Sequence, residues 1–259
     1  VILANVHNGG YAFLDHPRPL AFAHRGGAAA GLENSMTAFE QAVRMGYRYL
    51  ETDVQATADG VLLAFHDPVL DRLTDRRGRI AALPYREVAK ARIGGQEPIV
   101  LLEDLLAAFP EVRFNIDVKH PAAIDPLVNA IRRTGALDRV CVASFSDRRL
   151  AAVRAALGPR LCTSLGPREV FWLRTGASIR LLERLVPRGI PCVQVPPWLP
   201  LLTRRFINHA HVLGMQVHVW TINDPVVMHR LLDLGVDGIM TDRIDTLRDV
   251  LTTRGAWTS

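Results

Sequence analysis

Lysine is nearly missing from this chain of 259 residues: only Lys90 and Lys119 occur among 31 basic residues, so arginine carries almost all of the positive charge. A net charge of +5 built on arginine in an alanine-rich chain reflects base composition more than a ligand. The densest basic cluster, Arg76-Arg77-Gly78-Arg79, is too short for a nucleic-acid surface, so no nucleic-acid partner is expected. A modest attraction to anionic substrates or to a lipid surface, as peripheral membrane contact, fits the charge. Cysteine is scarce as well. Cys141, Cys162 and Cys192 sit in apolar runs with no Cys-x-x-Cys and no pairing pattern. They read as buried reduced thiols, which favours a reducing compartment and a cytoplasmic location. No apolar run approaches the roughly 18 residues that span a bilayer, and Val1–Asn8 lacks the charged and apolar regions of a signal peptide. There is no low-complexity tract and no linker to a second domain, so residues 1–259 read as one domain. Oligomeric state has no signature in the chain.

What is present is alternation. Short runs rich in Val, Ile, Leu and aromatics occur at Leu20–His24, Tyr47–Val54, Val112–Val118, Arg139–Ala143, Arg160–Ser164, Pro191–Val195, Gln216–Trp220 and Asp237–Met240. Helical patterns lie between them at Ser35–Met45, Leu101–Phe109, Ala123–Arg133, Asp147–Leu157, Ile179–Val186, Thr203–Leu213, Pro225–Leu234 and Asp245–Thr252. Several end at Gly46, Gly135, Gly158, Gly189, Gly214 or Gly235, where glycine supplies a left-handed helix cap. A doubly wound sheet alternates too. Eight strand–helix units favour an α/β TIM (β/α)8 barrel. One segment breaks the rhythm. Residues 55 to about 100 exceed any ordinary strand–helix loop of about 2–6 residues and form a small insertion after the second strand. It opens with the turn signal Thr57-Ala58-Asp59-Gly60. Val61–His66 then returns as an extended run that brings His66 back towards Glu51 and Asp53.

Carboxylates and histidines gather at the ends of these runs. Glu51 and Asp53 are two apart on a strand and share a face. In a barrel, strand C-termini build the active site. Two inward carboxylates there repel unless a cation or a proton separates them. Asp117 and Lys119 repeat the spacing on the third run. Three oxygen acids with no cysteine–histidine cluster point to a hard divalent cation, Mg²⁺ or Ca²⁺; ion pairs with Arg25 and Lys119 are the plainer alternative. His24 and His66 each close an apolar run. A pair of histidines flanking an acid cluster reads as a general base and a general acid, since imidazole titrates near neutrality. Arg25 and Lys119 add fixed charge suited to a phosphate. Gly26-Gly27 lets the backbone pass close to a ligand, and Asn34 and Ser35 read as caps of the first helix.

The chain resembles the glycerophosphodiester phosphodiesterases in His24-Arg25-Gly26, Glu33-Asn34-Ser35, Glu51-Thr52-Asp53-Val54, Thr57-Ala58-Asp59-Gly60, His66-Asp67, Asn115-Ile116-Asp117-Val118-Lys119, Trp220-Thr221-Ile222-Asn223 and Thr241-Asp242. These segments run in order from the first strand to the last. The resemblance implies that His24 and His66 are the catalytic pair and that Glu51, Asp53 and Asp117 hold a divalent metal. It implies that Arg25 and Lys119 bind phosphate, that Glu33 orients the site and that Trp220 lines the glycerol pocket, although a strand Trp is more often core. Three departures stand out. The family usually has Glu at the place of Asp117, proline at the place of Ile244, and often an acid at the place of Arg48, which is expected to be peripheral.

The implied reaction is metal-dependent hydrolysis of a glycerophosphodiester to glycerol 3-phosphate and an alcohol, through a cyclic phosphate. A lysophospholipid is the alternative substrate. The apolar stretches Val170-Phe171-Trp172-Leu173 and Trp198–Leu202 read as loops that suit an acyl chain or, more ordinarily, anchor themselves in the core. A sphingomyelinase D-like enzyme of the same superfamily shares the histidines and acids, but those enzymes are secreted and disulfide-bonded. A non-catalytic binding protein on the same scaffold would have lost a catalytic residue, and none is lost.

Overall fold

All eight apolar runs become strands. The computed structural model describes residues 10–175, 181, 184, 189–197 and 202–258. In chain order the strands are β1 (Leu20–Ala23), β2 (Tyr49–Ala56), β3 (Leu62–Ala64), β4 (Arg92–Ile93), β5 (Glu97–Pro98), β6 (Arg113–Val118), β7 (Val140–Ala143), β8 (Cys162–Thr163), β9 (Cys192–Val195), β10 (Gln216–Val219) and β11 (Gly238–Thr241). Eight of them pair in parallel in the order β8-β7-β6-β2-β1-β11-β10-β9. The two ends of this path meet at a parallel bridge between Ser164 and Cys192, backed by the Leu165 amide donating to the Cys192 carbonyl at 3.0 Å. The sheet thereby curls into a nearly closed TIM barrel. Helices follow the strands: α1 (Met36–Arg44), α2 (Tyr85–Val88), α3 (Leu102–Ala108), α4 (Ile124–Arg133), α5 (Asp147–Leu157), α6 (Pro167–Arg174), and the helices Arg204–Val212, Pro225–Leu234 and Ile244–Thr253. Among the described residues no helix is long and apolar enough to cross a membrane.

Strand alternation divides the apolar residues into two cores. Leu50, Val54, Ile116, Val142, Val217 and Ile239 point outward and pack under the helices in the larger cluster. Leu20, Phe22, Tyr49, Cys141, Cys162, Cys192 and Met240 form a smaller cluster with Phe13 and Leu14 of the N-terminal turn. On β2, Tyr49, Glu51 and Asp53 share one face by alternation, so a single strand runs from apolar packing to the carboxylates. The three cysteines lie on adjacent strands, all buried and reduced, with Cys141 Sγ 3.9 Å from Cys192 Sγ. Neighbouring strands about 4.8 Å apart bring such side chains together without any ligand.

The insertion folds back on β2. Thr57 Oγ1 donates to Asp59 and accepts from the Val61 amide, closing the turn. The returning strand β3 pairs antiparallel with β2, Val54 opposite Ala64. Leu63, Phe65, Leu70, Ile80, Val88 and Ile93 give the insertion an apolar cluster of its own.

One element differs from the sequence expectation. Val170–Leu173 is not a loop: it lies in α6, which starts with Pro167 in its first turn and is closed by Glu169 accepting from the Gly166 amide at 2.7 Å. Leu173 is fully buried while Phe171 is exposed. Most of the expected helix Ile179–Val186 and most of Trp198–Leu202 lie outside the described residues.

Candidate active site

His24 directly follows β1, at the barrel rim. Its Nδ1 lies 2.6 Å from Asp242 Oδ1, and its Nε2 lies 3.7 Å from Glu51 Oε2. Asp242 follows β11 and is itself held: it accepts from Asn223 Nδ2 at 2.9 Å, while its own amide donates to Asn223 Oδ1. The carboxyl of Asp242 is lowered despite burial, chiefly by the hydrogen bond to His24. An ionised Asp242 can only accept, so His24 Nδ1 carries the proton and Nε2 faces the site. Burial works against the charged imidazole, yet Glu51 and Asp242 together raise its pKa.

His66 comes from the insertion, just after β3. The Phe65 amide donates to the Asp53 carbonyl at 2.8 Å, and Gln55 Nε2 donates to the His66 carbonyl at 2.9 Å, so the backbone there is stitched to β2. Its Nδ1 is 2.6 Å from Asp67 Oδ1.

The acids sit between them. Glu51 and Asp53 on β2 and Asp117 on β6 are buried, with Asp53 directly opposite Asp117 in the sheet register. Lys119 Nζ lies between these two, 2.8 Å from Asp53 Oδ1 and 2.7 Å from Asp117 Oδ2. Arg25 spans the other side: Nε is 3.1 Å from Asp53 Oδ2, Nη1 donates to Glu33 at 2.8 Å, and its amide donates to Glu51 at 3.1 Å. Both cations expected on phosphate therefore rest on carboxylates, as the plainer ion-pair alternative describes. Burial raises the Asp53 carboxyl, but Lys119 and Arg25 outweigh it and hold it low. Glu51 is less well served. Burial and the Asp53 charge push it up to about 7. Burial also raises Asp117, whose Oδ1 is buried with no hydrogen-bond partner.

This surplus of negative charge, with an orphaned oxygen, suits a hard divalent cation. Yet Glu51, Asp53 and Asp117 are not drawn tightly together. Among the described residues, the three core thiols are the trio of His, Cys, Asp or Glu side chains whose ligand atoms all lie within 4.8 Å of one another.

Other expectations resolve individually. Ser35 caps α1, its Oγ accepting from the Ala38 amide, but Asn34 does not cap. At φ +58° it turns into the site, accepting from Thr52 Oγ1 at 2.8 Å with its amide nitrogen 3.5 Å from Asp53. Gly26 and Gly27 both have positive φ and serve packing: an added Cβ would meet the α1 backbone at 2.9 Å or the Ile244 side chain at 2.9 Å. Arg48 is exposed just before β2, as expected of a peripheral residue.

A cavity of about 460 Å³ opens over these groups, lined by His24, Arg25, Glu51, Asp53, His66, Asp117 and Lys119. Phe145, Leu165, Val170, Phe171 and Trp220 give the same cavity an apolar wall. Phe145 and Phe171 are 62% and 55% exposed. Phe145 packs edge-on to Trp220 at 5.5 Å and lies over Lys119 at 5.8 Å.

Asp242, Asn223, Asp67 and Arg72, which donates to both Asp67 and Glu33, carry site contacts without having been assigned roles from sequence. Three of the four stand in the resemblance motifs; Arg72 does not.

Comparison with known proteins bears on the whole barrel. Residues 24–246 match the model of the glycerophosphoryl diester phosphodiesterase family. The chain is 45% identical over 252 residues, 95% of each sequence, to the Mycobacterium tuberculosis protein named probable glycerophosphodiester phosphodiesterase 2. It is 28% identical to human lysophospholipase D GDPD1, over 88% of this chain and 85% of that one. Among solved structures, an Oleispira antarctica phosphodiesterase in complex with the product sn-glycerol-3-phosphate superposes with a TM-score of 0.79 at 22% identity, covering 91% of this chain and 97% of that one.

Proposed function

The chain belongs to the glycerophosphoryl diester phosphodiesterase family and is a glycerophosphodiester phosphodiesterase, and we propose that it yields glycerol 3-phosphate and an alcohol by two-histidine acid–base catalysis at a metal-binding barrel mouth. The observation that carries this reading is the arrangement at the rim: two imidazoles, each with Nδ1 on its own aspartate, flank an acid cluster that is incompletely neutralised.

Glu51, Asp53 and Asp117 would hold a divalent cation, Mg²⁺ or Ca²⁺, which when bound supplies positive charge to the phosphodiester oxygens. Arg25 and Lys119 add fixed charge at the same cavity, and Glu33 keeps the Arg25 guanidinium in place. One histidine Nε2 takes the proton of the glycerol hydroxyl beside the phosphate, and that oxygen attacks phosphorus. The other gives its proton to the leaving alcohol oxygen. Water then opens the cyclic phosphate with the proton roles exchanged. Each Nδ1–aspartate contact fixes which nitrogen does this work.

The apolar wall supports a second reading, a lysophospholipid as substrate, with Phe145, Phe171 and Trp220 against its acyl chain. The buried reduced thiols support a reducing compartment, the cytoplasm.

The test is a product assay with glycerophosphocholine, a lysophospholipid and sphingomyelin, each with and without EDTA. Glycerol 3-phosphate from the first, lost on chelation and restored by Mg²⁺ or Ca²⁺, is the expected result. Full turnover after exhaustive chelation would remove the metal from the reading.

A further inference from the structure

Arg72 lies in the insertion and projects towards the barrel rim. Its Nε donates to Asp67 Oδ2 at 2.6 Å and its Nη2 to Asp67 Oδ1 at 3.2 Å. The same Nη2 donates to Glu33 Oε1 at 2.8 Å, and Nη1 to Glu33 Oε2 at 3.1 Å. One guanidinium thus holds two carboxylates, each by two hydrogen bonds. Asp67 continues to His66 Nδ1, and Glu33 continues to Arg25, which touches Asp53 and Glu51. We propose that Arg72 is a positioning residue that locks Asp67, and through it the His66 imidazole, in register with the Glu33–Arg25 side of the barrel; this rests on the two-histidine reading above.

The physical case has three parts. Hydrogen bonds to β2 and its Gln55 hold the main chain around His66, while the ring itself is aimed by its contact with Asp67. Glu33 and Asp67 both accept from a single nitrogen, so without Arg72 two neighbouring carboxylates repel and part. The planar fork of arginine serves both at once, which the point charge of a lysine does not. The charge state of Asp67 agrees: burial opposes ionisation, but the hydrogen bonds to Arg72 and His66 bring its carboxyl down to about 2, so it remains an acceptor for His66.

A double-mutant cycle tests this with Arg72→Gln, Asp67→Asn and the pair, alongside Arg72→Lys and His66→Ala, measuring kcat and KM on glycerophosphocholine and thermal melting. Arg72→Gln should lower kcat by roughly 10–100-fold, the scale of misplacing a reacting group, with KM nearly unchanged. The double variant should be no slower than the slower single variant, because both remove the same restraint. Arg72→Lys should recover only part of the rate. Additive losses, a change confined to KM, or full rescue by lysine would each overturn the proposal. If Arg72→Gln does not fold, the same cycle is run with Arg72→Lys, where a non-additive loss supports the proposal and an additive loss overturns it. If His66→Ala keeps the wild-type rate, the catalytic reading itself fails. If His66→Ala is inactive while Arg72→Gln keeps its kcat, only the role of Arg72 falls.

Discussion

Two histidine–aspartate pairs stand at the mouth of this barrel and are built in opposite ways. His24 and Asp242 are 218 residues apart and meet because β1 and β11 pair side by side, Ala23 opposite Thr241. His66 and Asp67 are neighbours in sequence, and their carboxylate is braced from within the insertion by Arg72. The barrel thus supplies a partner for free wherever two strands adjoin. A loop that leaves the barrel has no such neighbour and must bring its own partner and brace. The first pair is held by closure of the sheet and the second by side-chain geometry, so they should respond differently to substitution.

The largest effect should come from the rings themselves. His24→Ala and His66→Ala should each lower kcat by about 10²–10⁴-fold with folding intact, the usual contribution of a positioned acid or base. Steady-state kinetics with circular dichroism decides it. A His66→Ala enzyme near the wild-type rate would show that the insertion does not take part in the chemistry.

Next come the acids that face the proposed cation. Asp117→Asn should weaken activation by Mg²⁺ or Ca²⁺ sharply, whereas Asp117→Glu should be tolerated, as it restores the side chain usual in the family. Metal titrations of activity make the comparison. An Asn variant that titrates like the wild type would take Asp117 out of the metal site, and loss in the Glu variant alone would indicate a site contracted around the shorter acid.

The partner aspartates sharpen the contrast through pH. Asp242→Asn removes a negative charge that favours the His24 imidazolium, so the His24 pKa should fall. The limb of the kcat/KM profile that belongs to His24 should therefore move to more acidic pH, with a loss of about 10²-fold. An unmoved profile would mean that Asp242 only packs against the ring.

The smallest effect on activity should come from the insertion core. Ile80→Ala deletes a fully buried side chain in the insertion cluster and should cost about 2–5 kcal/mol there. Hydrogen exchange should speed up between residues 57 and 101 while β1 and β11 stay protected. Equal loosening of both regions would show that the two pairs share one cooperative unit.

Much of the scaffold was legible because periodicity and caps agreed. Asp147–Leu157 and Pro225–Leu234 match their predicted bounds, with Ser146 and Asp224 capping the amides that follow. Helix α6 carries its own signals, a Pro at the start and Glu169 at the third position, yet the apolar run Val170–Leu173 reads equally as a loop anchor. The acids and histidines could be read from strand ends, since i, i+2 spacing fixes their face. Their partners could not be read so simply. Asn34 resembles an ordinary cap until its positive φ is known, and Arg72 looks like any surface arginine in a chain that has so many. No local pattern says which distant carboxylate an arginine will reach. The cysteines are the converse case: scattered in sequence, they converge because β7, β8 and β9 are consecutive around the ring.

That convergence marks the seam of the barrel. The strand β8 spans only two residues, and the bridge from Ser164 to Cys192 joins the ends of the paired path. One thiol lies on each of β7, β8 and β9, all shielded from solvent. A thiol reagent should leave the native protein untouched and modify these sulfurs only when the staves part. Its labelling rate, followed against denaturant, would therefore gauge how often the ring springs open at its narrowest join.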